Sequence, residues 1–287
     1  MIKLILAGAA VLVAGALAGC SPLSVVNAVS PAGTVRATAA IRYGDDPRNM
    51  LDVYRPAPSA APAPVIVFFF GGNWVSGKRE DYAFVGRALA ARGFVVVVPD
   101  YRLYPQVRYP DFLVDAASAV AWTGREIAAY GGDPARMFVM GHSAGAYNAA
   151  MLALDPRWLG QQGVKPAALR GWIGLAGPYD FLPVQNRTTR PVFNAPDTPG
   201  DSQPVNHVSA GAPPALLIAA KEDSLVDPAR NTGGLATRLR AARVPVREVY
   251  YDRVNHTTLV ASLSSSLRGL APTLDAVEAF VRSDGGR

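Results

Sequence analysis

The sequence predicts an α/β protein built on one mostly parallel sheet with helices on both faces. Short, continuous apolar runs recur along the chain and are rich in valine, isoleucine, leucine and phenylalanine. Such runs are typical of strands buried on both faces of a parallel sheet. Segments with helical signals separate them, which is the order that places helices on both sides of a sheet. The 287 residues suffice for one domain with a sizeable core, and no internal repeat is present.

The predicted elements alternate along the chain. Two strands are expected around residues 35 to 55, and a helix near 81 to 92 follows the apolar run Pro64–Phe70. Further strands are predicted at Phe94–Val98, Met137–Met140, Gly171–Leu175, Ala215–Ala220 and Val246–Tyr251. Further helices are predicted near 111–130, 146–154, 228–242 and 271–282. Residues 178 to 212, rich in proline and asparagine, are too long for a simple connection and predict a small lid or pocket wall.

The stretch Gly141-His142-Ser143-Ala144-Gly145 joins a predicted strand to a predicted helix. In that context a Gly-x-Ser-x-Gly turn holds its serine in a tight, strained elbow, with the hydroxyl exposed above the sheet. The helix N-terminus supplies free backbone N–H groups and the positive end of the helix dipole. Ser143 is therefore the candidate nucleophile of an acyl transfer. The alternative is an ordinary glycine-rich turn.

The chain has three histidines, and their positions separate them. His256 follows the strand Val246–Tyr251, in the loop where a fold with this elbow places its base. Its imidazole can take the serine proton and return it to a leaving group. His142 precedes the serine, where its side chain should point away from the nucleophile, which favours a structural role. His207 lies in the proline-rich stretch and would hydrogen-bond a loop or line a pocket.

An acid is expected at the end of the strand Ala215–Ala220, where three carboxylates compete. A carboxylate there can accept the second imidazole N–H, hold the productive tautomer and stabilise the imidazolium. Asp227 precedes a proline, a pattern typical of a helix N-cap, which gives it a structural role. Glu222 is the weaker alternative. We favour Asp223, since Val226 follows it three residues later, which resembles the Asp-x-x-Val placement of the acid in serine hydrolases of this type.

The run Pro64–Phe70 ends in Gly71-Gly72-Asn73-Trp74. Glycines there let the backbone approach a tetrahedral oxyanion closely. The backbone N–H groups of Gly72, Asn73 and Ala144 are therefore the candidate oxyanion-hole donors. The alternative is a simple Gly-Gly turn.

These residues resemble the α/β-hydrolases, and within them esterases related to hormone-sensitive lipase, dienelactone and feruloyl-type esterases, prenylcysteine methylesterases and kynurenine formamidases. The resemblance covers most of the chain after residue 40. The motifs that carry it are Tyr43-Gly44, Leu51–Tyr54, Gly71–Trp74, Gly77-Lys78, Pro99–Pro105, Gly131–Pro134, Gly141–Gly145, Gly177–Asp180 and His256. It implies an α/β-hydrolase fold, a triad of Ser143, Asp223 and His256, and an oxyanion hole of Gly72, Asn73 and Ala144.

The resemblance also implies a serine carboxylesterase that hydrolyses small to medium acyl esters through an acyl-enzyme, without a metal or an organic cofactor. Two alternatives stay open: amide or formamide hydrolysis on the same triad, and a catalytically weak lipoprotein that uses the fold for binding. One residue departs from the family, because Phe70 stands where a histidine usually braces the oxyanion loop by hydrogen bonding. The loop aromatics expected to line an acyl pocket are Trp74, Tyr104, Tyr179 and Phe181.

The amino terminus resembles the signal of a bacterial lipoprotein. A short positive start precedes the apolar residues 4 to 18, and Leu17-Ala18-Gly19-Cys20 has the form of a lipobox. The resemblance implies cleavage before Cys20, acylation of Cys20, and attachment to the cell envelope. Ser21, rather than aspartate, favours the outer membrane of a Gram-negative cell. The alternatives are a plain signal peptide and an uncleaved anchor, which the short apolar run disfavours.

The predicted organisation is a signal peptide over 1–19, a tether over 20–40 and one catalytic domain over 41–287. Cys20 is the only cysteine, so an intrachain disulfide is excluded. The net charge is +6, and the basic residues are scattered rather than clustered. That distribution argues against a nucleic-acid groove and fits a surface near an anionic membrane.

Overall fold

The computed structural model describes residues 22–28, 30, 33–57, 61–165 and 168–286. Cys20 and the predicted signal peptide lie outside these ranges. Eight strands form one sheet in the described part of the chain. They are β1 (Arg36–Arg42), β2 (Met50–Arg55), β3 (Ala63–Phe69), β4 (Val95–Pro99), β5 (Gly132–His142), β6 (Leu169–Leu175), β7 (Ala215–Ala220) and β8 (Val246–Tyr251).

The strands lie side by side in the order β1-β2-β4-β3-β5-β6-β7-β8. The pairs β1–β2 and β2–β4 are antiparallel, and every other neighbouring pair is parallel. This topology confirms the predicted mostly parallel sheet. The central strands β3 and β5 pair through rungs such as Val67 opposite Val139, and both of these side chains are fully buried. The continuous apolar runs therefore form the middle of the core, as expected for strands covered on both faces.

The described helices are α1 (Pro22–Ala28), α2 (Ala83–Ala90), α3 (Asp111–Glu126), α4 (Ala144–Leu154), α5 (Pro156–Gln161), α6 (Gly234–Ala241), α7 (His256–Ala261) and α8 (Thr273–Arg282). Helices α2 and α8 contact each other, and α3 packs with α4 and α5. Helix α4 leaves the end of β5 and packs against β5 and β6. None of these described helices combines the length and apolar character that crossing a bilayer requires.

Part of the predicted tether is folded against the domain. Strand β1 begins at Arg36, before the predicted domain start at 41. Helix α1 is held by the side-chain amide of Asn27, which donates to the Glu80 carbonyl oxygen at 2.8 Å. Arg87 in turn donates to the backbone and side-chain oxygens of Asn27 at 2.9 and 2.8 Å. The contact depends on hydrogen bonds between residues more than 50 positions apart, and the hydrophobic periodicity of the sequence carries no signal of such bonds.

Two short helices were not predicted from the sequence, and both begin at a clear cap. Helix α5 starts after Asp155, whose side chain accepts from the Arg157 N–H. Helix α7 starts after Asn255, which forms a capping box with Thr258. His256 is therefore the first residue of a helix rather than part of a loop.

Candidate active site

Ser143 lies in a strained elbow between β5 and α4. Its backbone angles are φ 55° and ψ −122°, a conformation that costs a non-glycine residue on the order of 1–3 kcal/mol. The glycines on either side are sterically required. A Cβ added at Gly141 would lie 2.0 Å from the Gly145 oxygen, and one added at Gly145 would lie 2.0 Å from the Phe69 oxygen. The elbow thus stands directly against the end of β3.

Three side chains meet at the elbow in a continuous line of hydrogen bonds. The Nε2 atom of His256 lies 2.9 Å from Ser143 Oγ, and its Nδ1 atom lies 2.8 Å from Asp223 Oδ2. Because the carboxylate only accepts, Nδ1 carries a proton and Nε2 is free to accept the serine hydroxyl. The three residues are 8 to 9 % exposed. The structure therefore brings together the nucleophile, base and acid expected from the sequence.

Asp223 is fixed by more than the imidazole. Its Oδ1 atom accepts from the backbone N–H groups of Leu225 and Val226 at 2.9 and 3.0 Å. Burial alone would raise its pKa, but the hydrogen bond and charge of His256, with the two backbone bonds, outweigh burial and lower the pKa below its ordinary value. The other two acids considered stand apart from His256. Glu222 is exposed, and Asp227 caps the turn that follows it by accepting from backbone N–H groups.

The other two histidines, His142 and His207, each contact a backbone oxygen rather than the serine hydroxyl. His142 Nε2 lies 2.9 Å from the backbone oxygen of His256, a link between residues 114 positions apart. Burial, followed by the neighbouring His256, lowers the pKa of His142 to about 3, so its ring is neutral. His207 lies 2.6 Å from the Asp201 oxygen, away from the cavity beside Ser143. Sequence reasoning anticipated a structural role for His142 but not this contact with the base.

The candidate oxyanion loop has an unusual backbone. Gly72, Asn73 and Trp74 all have positive φ, at 128°, 54° and 58°. A Cβ on Gly72 would lie 2.2 Å from the Ser76 oxygen, so this position requires glycine. Within the described part of the chain, the backbone N–H groups of Gly72, Asn73 and Ala144 have no protein acceptor. They are therefore free to donate to an oxygen of a bound molecule.

An aromatic side chain, Phe70, braces the candidate oxyanion loop. Phe70 is fully buried and stacks on Tyr101, with ring centroids 4.5 Å apart and an interplanar angle of 17°. The Tyr101 hydroxyl donates to the Phe70 carbonyl oxygen at 2.7 Å. Arg48 extends this brace, because it donates to the backbone oxygens of Tyr101 and Gly77. A stacked aromatic pair and a backbone hydrogen bond thus hold the loop at the position where the sequence resemblance led us to expect a histidine.

Trp74 fixes the far side of the same loop. Its indole N–H donates to Asn148 Oδ1 at 3.0 Å, and Asn148 is fully buried one turn along α4 from the elbow. The ring packs edge-on against Tyr147 and Phe193 at centroid distances of 5.1 and 4.8 Å. Asn148 was not anticipated from the sequence, where it is one polar residue in a small-residue helix.

A cavity of about 340 Å³ opens beside Ser143 and the oxyanion loop. Its apolar lining residues include Trp74, Phe181, Val184 and Leu225. Its polar lining residues include Asp180, Gln185, Asn186, Asp227 and Arg230. Asp180 and Arg230 form an ion pair at 3.0 Å. Two of the four expected pocket aromatics, Trp74 and Phe181, line the cavity; Tyr104 lies beside Arg108, and Tyr179 is buried against Trp172.

The order of the strands and the elbow at the end of β5 define this protein as an α/β-hydrolase. The chain belongs to the BD-FAE family, whose model matches residues 51–239, more than half of its length. That match includes Ser143 and Asp223, and His256 lies beyond it. In the described part of the chain, no three metal-ligating side chains come together.

Named relatives and solved structures agree with this assignment. The probable carboxylic ester hydrolase LipM of Mycobacterium tuberculosis is 33 % identical over 263 residues, covering 84 % of this chain and 60 % of that protein. The probable isoprenylcysteine alpha-carbonyl methylesterase ICMEL1 of Arabidopsis thaliana is 29 % identical over 257 residues, covering 80 % and 52 %. A bacterial heroin esterase superposes with a TM-score of 0.72 at 25 % identity, covering 91 % and 89 %. The chain spans about half the length of the curated relatives it matches.

Proposed function

We propose that this protein is a serine carboxylesterase that hydrolyses small to medium acyl esters through an acyl-enzyme. The observation that carries the proposal is the line of hydrogen bonds from Ser143 through His256 to Asp223, at 2.9 and 2.8 Å. The relatives described above support it, because their names are those of ester hydrolases.

Acylation begins at the serine hydroxyl. As Ser143 Oγ attacks the ester carbonyl carbon, its proton passes to His256 Nε2, and Asp223 stabilises the imidazolium that forms. The carbonyl oxygen becomes an oxyanion, which the N–H groups of Gly72, Asn73 and Ala144 are placed to stabilise. Collapse of the tetrahedral intermediate breaks the bond to the alcohol oxygen, and the imidazolium gives its proton to that oxygen.

Deacylation repeats the sequence with water. His256 Nε2 accepts a proton from water as the water oxygen attacks the acyl carbon, and the proton then returns to Ser143 Oγ when the acid leaves. No other reactant is needed.

The cavity supports a preference for modest acyl groups. Its volume of about 340 Å³ lies at the lower end of the roughly 300–1,000 Å³ range typical of ligand pockets. Trp74 and Phe181 give its lining apolar surface, while Asn186 and Arg230 add polar groups. We therefore expect esters of short acyl groups, with polar groups of the substrate able to meet Asn186 or Arg230.

A fluorophosphonate probe tests the nucleophile. We expect it to label the wild-type protein and not Ser143→Ala, and p-nitrophenyl acetate turnover to fall by about 10⁴-fold or more in the variant. Circular dichroism controls for folding. Parallel assays on acyl esters of increasing length and on a formanilide separate ester from amide preference. A folded wild-type protein that neither labels nor turns over any ester would contradict the proposal.

We further propose that the chain is anchored in a bacterial cell envelope through lipid on Cys20, with the outer membrane favoured in a Gram-negative cell. The support is the motif Leu17–Cys20 and the serine that follows it. Helix α1 begins two residues after Cys20 and binds Glu80 and Arg87. The anchor would therefore join the protein close to the surface of its folded domain.

Labelling with an alkyne analogue of palmitate tests the anchor. Expressed in a Gram-negative host, the wild-type chain should incorporate the label and fractionate with membranes, whereas Cys20→Ser should remain unlabelled. Label on Cys20→Ser, or wild-type chain without label, would exclude lipidation at Cys20.

A further inference from the structure

His142 lies beside the nucleophile but takes no part in the proton transfers described above. Its Nε2 atom is 2.9 Å from the backbone oxygen of His256, and the side chain is almost wholly buried. Because a carbonyl oxygen only accepts, Nε2 must carry the proton and donate it. The Nδ1 atom has no hydrogen-bond partner in the described part of the chain. The bond to His256 is therefore the hydrogen bond that fixes this ring.

This bond joins the two segments that carry the nucleophile and the base. His142 is the last residue of β5, and His256 is the first residue of α7. In the described part of the chain, three residues outside α7 thus hold His256 in the free protein: Ser143 and Asp223 hold its ring, and His142 holds its main chain. The third contact does not depend on the chemical state of the serine.

We propose that His142 is a positioning residue that holds the main chain of His256 in place while Ser143 is acylated. The inference rests on the proposed esterase function. In the acyl-enzyme the hydroxyl proton of Ser143 has left with the alcohol, and Oγ is bonded to the acyl carbon. Its hydrogen bond to His256 Nε2 is then lost, and the contacts through Asp223 and His142 remain. His256 must keep its position at this stage, because it next accepts a proton from water.

The charge state of His142 suits this role. The titratable groups in its surroundings are His256 and Asp223, and burial followed by the charge of His256 lowers the His142 pKa to about 3. The ring centroids of the two histidines lie 5.0 Å apart. A neutral His142 donates its hydrogen bond without repelling the imidazolium that forms on its neighbour.

Kinetics of His142→Leu and His142→Gln test the inference, because kcat includes deacylation whereas kcat/KM reports acylation. We expect His142→Leu to lower kcat about tenfold and kcat/KM less than threefold, with a p-nitrophenol burst as acyl-enzyme accumulates. The glutamine amide reaches as far as Nε2 and can donate, so His142→Gln should stay within about threefold of wild-type kcat. His142→Asn, whose amide is shorter, should resemble the leucine variant.

Val260→Ala is the matched control, since it loosens α7 without removing the hydrogen bond. If Val260→Ala lowers the melting temperature about as much as His142→Leu does, it should still show no p-nitrophenol burst and no fall in kcat beyond that in kcat/KM. Equal falls in kcat and kcat/KM for His142→Leu, or a folded glutamine variant no better than asparagine, would overturn the inference. Should the leucine variant fail to fold, the glutamine and asparagine pair decides. A wild-type protein without esterase activity would overturn the proposed function instead.

Discussion

The elbow and the mouth of the cavity are built in opposite ways. Ser143 and His142 are buried, and their positions follow from strained backbone and from glycines that admit no side chain. We call the exposed lining residues the mouth of the cavity: the paired side chains of Asp180 and Arg230 are 38 % and 44 % exposed, and Leu225 is 70 % exposed. On the proposed function, we expect the backbone at the elbow to govern the chemistry and the exposed side chains at the mouth to govern selectivity.

The largest effect is expected for Asp223→Asn at the elbow. Asparagine cannot hold the productive tautomer of His256 or stabilise its charge, so kcat should fall about 10⁴-fold in p-nitrophenyl acetate hydrolysis. The exposed neighbour offers a control, because Glu222→Gln should leave kcat unchanged. A loss smaller than tenfold for Asp223→Asn would place the acid elsewhere.

Gly145→Ala should disrupt the elbow itself. The added Cβ would lie 2.0 Å from the Phe69 oxygen and 2.5 Å from the Phe70 oxygen, so the strand or the helix must shift. We expect several kcal/mol of destabilisation, measured by urea unfolding, or failure to fold. Gly124→Ala, whose Cβ meets nothing within 4 Å in α3, should be neutral or stabilising by up to about 1 kcal/mol. Equal stability of the two variants would refute the steric argument.

Acid should destabilise the elbow through His142. Its folded pKa of about 3 lies below the ordinary 6.5, so between these values the unfolded chain binds a proton that the folded chain does not. Above pH 6.5 His142 is neutral in both states and does not lower the free energy of unfolding. As the pH falls from 6.5 toward 3, protonation of the unfolded chain lowers that free energy by up to about 1.4 kcal/mol per pH unit. Urea unfolding from pH 7 to 4 measures it. The slope should be shallower in His142→Gln, and identical slopes would contradict the assigned cause.

Tyr101→Phe tests the brace behind the oxyanion loop. It removes the hydroxyl that donates to the Phe70 carbonyl oxygen and keeps the stacked ring. We expect kcat to fall about tenfold with KM little changed, because one buried hydrogen bond is lost. Tyr104→Phe, outside this brace, should behave as wild type. If both variants are fully active, the stacked rings suffice to hold the loop.

The smallest effect is expected at the cavity mouth. Leu225→Ser removes an exposed apolar side chain, so KM for hexanoyl esters should rise about threefold while kcat stays within about twofold. Acetyl esters should be unaffected. Val25→Ser replaces another exposed apolar residue away from the cavity and should change neither constant. A fall in kcat for Leu225→Ser would show that the mouth also affects the chemistry.

The strands and the elbow could be predicted because their signals are local. Buried apolar runs mark β3, β4 and β7, and the Gly-x-Ser-x-Gly pattern marks the turn after β5. The order of residues along the chain then narrowed the candidate partners of Ser143 to one histidine and three carboxylates. In the structure His256 contacts Ser143, and Asp223 contacts His256.

The supporting contacts could not be predicted, because they join distant residues. His142 meets the main chain of His256, Trp74 meets Asn148, and Tyr101 meets the main chain of Phe70. Two of these three hydrogen bonds end on a backbone oxygen, which carries no signature in the amino-acid sequence. Helix α7 was missed for a different reason, since its six residues are too few for a helical period to show in the sequence.

The pairing of β3 with β5 has a consequence for laboratory evolution. The oxyanion loop follows β3 and the elbow follows β5, and these strands are hydrogen-bonded neighbours. The two segments therefore leave adjacent strands about 4.8 Å apart, a spacing set by backbone hydrogen bonds rather than by the side chains that line the cavity. Libraries confined to residues 180–190 and 225–230 can therefore explore new substrates while the reacting atoms keep their spacing.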